Sequence, residues 1–234
     1  MKLNWDFMWE SFPDILSYLP VTLRLTVGAL LIAVPFACLF TFILLKEVKV
    51  IRRIVQAYLS LIRGTPMILQ IFVIYNMTPS LLQAYFNSAG KDINVFEKID
   101  NSWYAYLALS LMATAFLTEA FRSAIKTVDK GQLEAAYTVG MSGFSAYKRI
   151  VLPQALGVAL PVVSNTIVDT IKATSLAFAM AVTEVTGRAK ILGGMSLNYF
   201  EAYLDIFLVY IILVCTVELR LKLIEKRLIR YKKT

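Results

Sequence analysis

The sequence predicts an all-α membrane protein with five transmembrane helices. Of its 234 residues 58% are hydrophobic, and the mean hydropathy is +0.65, which is too apolar for a soluble domain of this length. A helix needs about 20 largely apolar residues to cross the hydrocarbon of a bilayer. The apolar runs are continuous rather than alternating, which argues against a transmembrane barrel. Five stretches are long enough, at residues 19–45, 66–86, 103–123, 155–183 and 203–221.

The distribution of basic residues predicts the orientation of these helices. The net charge is +8, and Lys and Arg number five in residues 46–63, five in 120–152 and seven in 218–234. The other exposed segments, 1–18, 79–102 and 184–205, hold one, two and two. Cytosolic connectors carry the excess of Lys and Arg, so the amino terminus is expected outside and the carboxyl terminus inside, which requires an odd number of spans. This alternation accounts for the charge without a nucleic-acid partner.

The segments that flank the spans suggest anchoring rather than further domains. Residues 1–18 are rich in aromatic side chains and are predicted to lie at the membrane interface. The chain from Arg220 onward is a basic amphipathic tail that is attracted to anionic lipid. Cys38 and Cys215 both fall inside spans, so no disulfide framework is predicted. Acidic residues precede the first apolar run, which argues against a cleaved signal peptide. Residues 1–234 are expected to form a single domain.

An amphipathic stretch between the third and fourth spans is predicted to be a cytosolic connector. Asp129, with Gln132 three residues later, is a capping-box pattern that predicts a short helix. Gly140 is placed to end that helix in the left-handed conformation. Ser142 can cap a second short helix, and Pro153 suits the first turn of the helix that follows. The stretch from Asp129 to Pro153 should therefore protrude as two short helices joined at a glycine; it is called the knob below.

The knob resembles the Glu-Ala-Ala loop of the inner-membrane permease subunits of ABC importers. The resemblance rests on Glu134, Ala135, Ala136 and Gly140 and on the ending Val151-Leu152-Pro153. Small side chains at 135 and 136 would let the helix lie close in a groove of a partner. Glu134 and either Lys148 or Arg149 would fix its orientation. The alternative is an ordinary helix that lies on the membrane surface.

A second motif, Arg63-Gly64-Thr65-Pro66 followed by Gln70, stands where the second span begins. It resembles the polar amino-acid permeases of the same family, which carry Arg-Gly-Thr-Pro at this place. Gly64 and Pro66 interrupt the helix, and at membrane depth such a break is tolerated only where it lines protein or a cavity. The motif therefore predicts a hinge formed by Arg63, Gly64 and Pro66. The alternative is a plain helix start, with Thr65 as the cap and Pro66 at the first helical position.

The second half of the third span carries a predicted ion pair. Glu119 and Arg122 are three residues apart, so they share one face of the helix and can pair. The polar amino-acid permeases have a Glu here in an Ala-Tyr-x-x-Glu pattern. This chain matches the pattern from Ala115 to Glu119, with Phe116 in place of the Tyr. The Phe removes a hydroxyl and any contact that the hydroxyl makes.

The fourth span carries five polar or charged side chains: Asn165, Asp169, Lys172, Thr174 and Ser175. Residues 172–175 match the family's Lys-x-Thr-Ser pattern. A charged group at this depth costs at least about 2.5 kcal/mol unless it is paired or solvated, so these side chains are expected to face the bundle interior. They are interpreted either as an interhelical staple or as a polar translocation path. Together with Glu119 and Gln70, such a path could meet both ends of a zwitterion.

Residues 184–194 are expected to form an outer loop, either a partly re-entrant gate or a docking surface. Glu201 and Asp205 should mark the outer edge of the fifth span. No motif supports covalent chemistry, because the chain has no His, and both Cys lie in apolar surroundings. It also lacks a phosphate-binding glycine loop with a Lys-Ser or Lys-Thr ending. We therefore expect no enzyme activity, metal or cofactor, with ATP and Mg²⁺ bound by a separate ATPase.

The resemblance covers nearly the whole chain from about Leu19 and implies a type I ABC importer permease fold in a bacterial inner membrane. It implies two cytosolic ABC ATPase subunits that receive the knob, and an extracytoplasmic binding protein that delivers a polar amino acid. It further implies a second permease subunit, identical or paralogous, in contact with membrane lipid. Overall similarity leans toward cystine-type permeases.

Two other classes remain as alternatives. An ion-coupled secondary amino-acid transporter or channel would also bury Glu119, Asp169 and Lys172, but it would have no use for a partner knob. Such a protein usually shows paired halves, which this sequence does not. An intramembrane enzyme would need Ser175 with Lys172 as nucleophile and base, and nothing in the sequence supplies an oxyanion hole.

Overall fold

The computed structural model describes residues 3–46 and 49–230, without the side chains of 228–230. The last four residues of the predicted basic tail lie outside the described residues. Within the described part the regular elements are helical. They are α1 Trp5–Ser17, α2 Leu19–Lys46, α3 Lys49–Gly64, α4 Met67–Ser88, α5 Val95–Lys98, α6 Ser102–Lys126, α7 Lys130–Thr138, α8 Gly143–Ala146, a π-helical turn Tyr147–Val151, α9 Leu152–Thr174, a 3₁₀ segment Ser175–Met180, α10 Val185–Ser196 and α11 Tyr199–Arg230.

The five predicted spans are confirmed. Five helical stretches are long and apolar enough to cross a membrane, and each overlaps one predicted span, although the second begins at Met67 and the fourth ends at Met180. They are Trp5–Lys46, Met67–Ser88, Ser102–Lys126, Gly143–Met180 and Tyr199–Arg227. The fourth is longer than predicted, because the knob's second helix continues through the π-helical turn into α9 without a break. The fifth is longer as well, since α11 extends into the basic tail.

Helix α6 lies at the centre of the bundle and packs against α2, α3, α4 and α9. Small side chains such as Ala105, Ala108 and Ala113 cover its buried faces. In a membrane, small residues let helix backbones approach closely, which compensates for the missing hydrophobic drive between helices. Gly28 of α2 shows how close the approach is, because a Cβ there would lie 2.4 Å from the ring of Tyr106.

Helix α1 has three distinct sides. Met8, Ser11 and Ile15 are buried against α10 and α11, while Trp5 and Trp9 are exposed. Acidic side chains occupy the third side. An apolar face with Trp beside a charged face is typical of a helix at a membrane interface. The end of the bundle formed by α1, α10 and the first turns of α2 and α11 is called the α10 end; the knob lies at the opposite end.

Candidate functional site

The caps predicted for the knob are present. The Asp129 carboxylate accepts a hydrogen bond from the Gly131 amide at 2.6 Å and begins α7. Gly140 follows α7 with φ of +79°, a conformation that L-residues with a side chain adopt only at a cost. Ser142 accepts a hydrogen bond from the Ser145 amide at 3.3 Å and begins α8. Local sequence therefore sets the shape of the knob.

The second hydrogen bond of the predicted capping box, from the Gln132 side chain back to the cap residue Asp129, is a wrong prediction. The Gln132 side chain does not reach back to the cap; its oxygen accepts a hydrogen bond from Gln154 of α9. Pro153 is the second residue of α9, as its missing amide proton allows. The side chains of Gln132 and Gln154 thus join the first helix of the knob to the start of the fourth span, which couples their positions.

The knob exposes an apolar surface. Val139 is 76% exposed and Phe144 is 78% exposed, and Tyr137 beside them is also exposed. Glu134, Ala135, Leu152 and Pro153 are exposed as well, whereas Ala136 is buried. The Lys148 ammonium lies 5.9 Å from the centre of the Phe144 ring. Exposed apolar side chains grouped on a protrusion are typical of a protein-binding surface.

The break between α3 and α4 is closed by Gln70. Its buried amide nitrogen donates to the carbonyl oxygen of Ile62 at 2.8 Å and to both the carbonyl and the hydroxyl oxygen of Thr65 at 3.0 Å. Pro66 is the residue that precedes α4, and Thr65 donates its hydroxyl to Leu61 of α3. The alternative interpretation, in which Thr65 caps the second span and Pro66 is its first helical residue, is therefore wrong, because Thr65 closes the preceding helix and Pro66 lies before α4.

Arg63, at the end of α3, faces the third span. Its guanidinium lies 3.9 Å from a Glu119 carboxylate oxygen. The same carboxylate accepts two hydrogen bonds from Arg122, at 2.7 and 3.2 Å. The predicted Glu119–Arg122 pair is thus present, and it extends to the predicted hinge. Glu119 and Arg122 are 29% and 28% exposed.

The predicted path residues of α9 are divided between two faces. Thr174 is buried, whereas Asn165, Asp169 and Lys172 form an exposed stripe at helical spacing. Asp169 and Lys172 lie 3.6 Å apart and are 67% and 55% exposed. The expectation that they face the interior is wrong for the single chain, whose own helices leave this side of α9 uncovered. Charged groups in that position require a further subunit or water beside them.

The candidate nucleophile and base do not meet. The Ser175 hydroxyl donates to the carbonyl oxygen of Lys172 at 2.7 Å, and the Lys172 ammonium turns to Asp169. The Ser175 hydroxyl is thus occupied by its own helix, and the geometry favours no Ser–Lys pair.

Sequence reasoning missed the organisation of the α10 end. The segment predicted as an outer loop contains helix α10, and Arg188 in it forms a bidentate ion pair with Asp14 of α1, with contacts of 2.5 to 3.1 Å. Asp205 accepts a hydrogen bond from Ser11 at 2.8 Å, and Glu201 accepts one from the Asn4 amide at 3.0 Å. These partners lie 174 to 197 residues apart in the chain, so no local sequence pattern predicts that they meet.

Five helices that are long and apolar enough to span a membrane, with a protruding helical knob between the third and fourth, define a multi-pass membrane protein. Residues 29–230 match the family model of the binding-protein-dependent transport system inner membrane component. The chain belongs to this family.

Two relatives cover nearly the whole chain. The probable amino-acid permease protein YxeN of Bacillus subtilis is 36% identical over 90% of this chain and 89% of its own length. The L-cystine transport system permease protein TcyL of the same organism is 33% identical over 97% of this chain and 91% of its own length.

A solved structure shares the fold. The crystal structure of an amino acid ABC transporter with histidines contains a chain that superposes with a TM-score of 0.83 at 28% identity, covering 97% of this chain and 100% of the other. The predicted permease fold is confirmed.

Proposed function

We propose that this chain is the membrane subunit of an ATP-driven importer of a polar amino acid, and that its knob receives an ABC ATPase. The single observation that carries the proposal is the exposed apolar surface of the knob around Val139 and Phe144. Isolated exposed apolar residues are ordinary, but here they stand on a protrusion whose caps hold it in shape. The ATPase binds the ATP and Mg²⁺, and this chain holds no cofactor.

The charges support an orientation with the knob in the cytosol and the α10 end outside. The basic connectors lie at the knob end, as the excess of Lys and Arg in cytosolic connectors leads us to expect. An extracytoplasmic binding protein then delivers the solute to the α10 end, and two cytosolic ATPases bind at the other. The names of the relatives and of the solved structure support an amino acid as the solute, with cystine as one candidate.

The stripe Asn165, Asp169 and Lys172 supports a second permease subunit, identical or paralogous. Charges exposed on a spanning helix cannot face lipid without a large cost. A second subunit that faces this side of α9 encloses them in a polar passage for a zwitterion. Glu119, Gln70, Thr174 and Ser175 complete the predicted path, with the hinge at Arg63, Gly64 and Pro66 beside it.

The experiment is copurification of the chain with a tagged ATPase subunit, followed by uptake of labelled amino acids into proteoliposomes that contain the complete importer. Glu134→Lys should leave the chain in the membrane in normal amount but reduce ATPase recovery and uptake by about tenfold, as expected when an interface charge is reversed. Lys130→Glu is the matched control, since it reverses an exposed charge on the same short helix. It should retain both activities. Normal transport by Glu134→Lys, or equal losses in both variants, would overturn the assignment of the knob.

A further inference from the structure

A completely buried carboxylate joins several helices at the α10 end. Glu184 is 0% exposed and precedes α10 as its N-cap. One oxygen accepts from the Gly187 amide at 2.9 Å. The other accepts from the Tyr210 hydroxyl of α11 at 3.1 Å and from the Thr22 hydroxyl of α2 at 3.4 Å. A single side chain thus connects α2, α10 and α11.

The fourth span is connected through Tyr210. Its hydroxyl lies 3.2 Å from the Thr174 hydroxyl at the end of α9, and Thr174 also donates to the carbonyl oxygen of Ile171. Tyr210 therefore stands between Glu184 and Thr174 with one proton to donate. The proton can go to only one of the two oxygens at a time.

Burial and hydrogen bonding shift the pKa of Glu184 in opposite directions. Burial raises its pKa above the ordinary value for a Glu, while hydrogen bonds from the first turn of α10 and from Tyr210 act in the opposite direction, and the effect of burial is larger. The amino-terminal end of α10 also favours the charged form. The nearest cation along α10, Arg188, is paired with Asp14 of α1 and does not compensate the charge of Glu184.

The other ionisable groups near this site face elsewhere. On α10, Lys190 lies 4.7 Å from the centre of the Phe178 ring. Arg188 lies 5.5 Å from the centre of the Tyr18 ring in addition to its bond with Asp14. The 3₁₀ segment contributes no charged residue, and α2 and α9 offer Glu184 only the hydroxyls of Thr22 and, through Tyr210, Thr174.

We propose that Glu184 is a positioning residue for transport, whose ionised carboxylate ties the outer ends of the first and fifth spans to α10. When Glu184 takes up a proton from the outer solution, the new O–H donates to Tyr210. The Tyr210 hydroxyl then turns its own proton to Thr174, and Thr22 is left with a neutral oxygen, which is a weaker acceptor than the carboxylate. Protonation thus weakens the tie to α2 and adds one between α9 and α11, while Glu184 and Tyr210 stay bonded with donor and acceptor exchanged. The inference rests on the proposed function and names a regulation of the same transport path.

Glu184→Gln imitates the protonated state, because one side of the amide donates where the carboxylate accepts. In proteoliposomes with the complete importer, uptake by the wild type should fall as the outer solution is changed from an upper, mildly alkaline pH to an acidic one, because Glu184, with its raised pKa, takes up a proton on the way. Glu184→Gln should be slower at the upper pH by about tenfold and nearly independent of pH, so the two curves converge in acid. Tyr210→Phe removes one donor to the charged form, and the midpoint of its curve should move to higher pH.

Glu201→Gln is the matched control. Glu201 is also buried at the α10 end, but it accepts its hydrogen bond from the Asn4 amide, whereas Glu184 accepts from the hydroxyls of Tyr210 and Thr22. Its curve, normalised to the amount of assembled importer, should keep the wild-type shape. Dividing each variant's rate by the wild-type rate removes the pH dependence of the binding protein and the ATPase. Curves for Glu184→Gln and the wild type that differ by a constant factor would overturn the proposal, since a merely structural role gives that result.

Thermal unfolding of the purified chain tests the titration without transport. The folded state binds the Glu184 proton more tightly than the unfolded state, so this group lowers stability as pH rises through its raised pKa. The unfolding midpoint of Glu184→Gln should therefore exceed that of the wild type at the upper pH and approach it in acid. A difference that does not change with pH would contradict the proposal. Absence of ATP-driven uptake by the wild type would instead refute the proposed function and leave these unfolding curves to decide about Glu184.

Discussion

Two ion pairs of this chain have the same spacing and opposite surroundings. Glu119 and Arg122 are bonded at 2.7 Å on α6, where neighbouring helices cover most of both side chains, and Arg63 approaches them from α3. Asp169 and Lys172 are 3.6 Å apart on α9 and mostly exposed. The difference shows that the spacing of two charged residues along a helix predicts an ion pair but not the role of that pair. The covered pair connects two elements of this chain, whereas the exposed pair is available to another subunit or to a solute.

The largest effect on stability is expected from Glu119→Gln. The substitution leaves Arg122 and Arg63 without their carboxylate in a half-buried position, which costs about 2 kcal/mol. In detergent, the midpoint of thermal unfolding should fall by about 4 to 8 °C. An unchanged midpoint would remove the distinction between the two pairs, because the covered pair would then contribute as little as an exposed one.

Lys172→Met should affect function more than stability. Exposed ion pairs contribute about 0 to 1 kcal/mol, so the unfolding midpoint should change by no more than about 3 °C. Uptake by the complete importer should fall by about tenfold if Lys172 lines the path, since the solute loses one charged contact. A loss confined to the amount of protein in the membrane would favour the interhelical staple.

The smallest change in stability is expected when the exposed pair is exchanged, in the double variant Asp169→Lys with Lys172→Asp. The exchange keeps an i,i+3 pair and the net charge, so the unfolding midpoint should stay within about 2 °C of the wild type. Uptake should remain as low as in Lys172→Met, because the positive charge has moved along the passage by about 4.5 Å, three residues of helix rise. Full recovery of uptake would show that only the pair matters, not the place of each charge.

Local patterns predicted much of this molecule. Continuous apolar runs gave the five spans, because the bilayer imposes their length. The caps at Asp129, Gly140 and Ser142 were predictable because each depends on a backbone group within three residues of the cap. The Glu119–Arg122 pair is local as well and is present.

Contacts between distant parts of the chain were not predictable. The partner of Gln132 is Gln154 rather than the cap, and Gln70 closes α3 from the next helix. Glu184 had the pattern of an exposed loop residue, yet it is buried by helices that begin far away in the sequence. The exposed stripe on α9 could not be predicted either, because periodicity shows that side chains share a face but not whether another helix of the same chain covers it.

The most direct test of the central claim is the rate of labelled amino-acid uptake into proteoliposomes that contain this permease, with and without its ATPase and ATP. If the knob transmits the motion of a separate motor, uptake should require the ATPase, ATP and the binding protein together, and Glu134→Lys should lower it by about tenfold while Lys130→Glu leaves it unchanged. Uptake at the full rate by the permease without the ATPase would contradict the account.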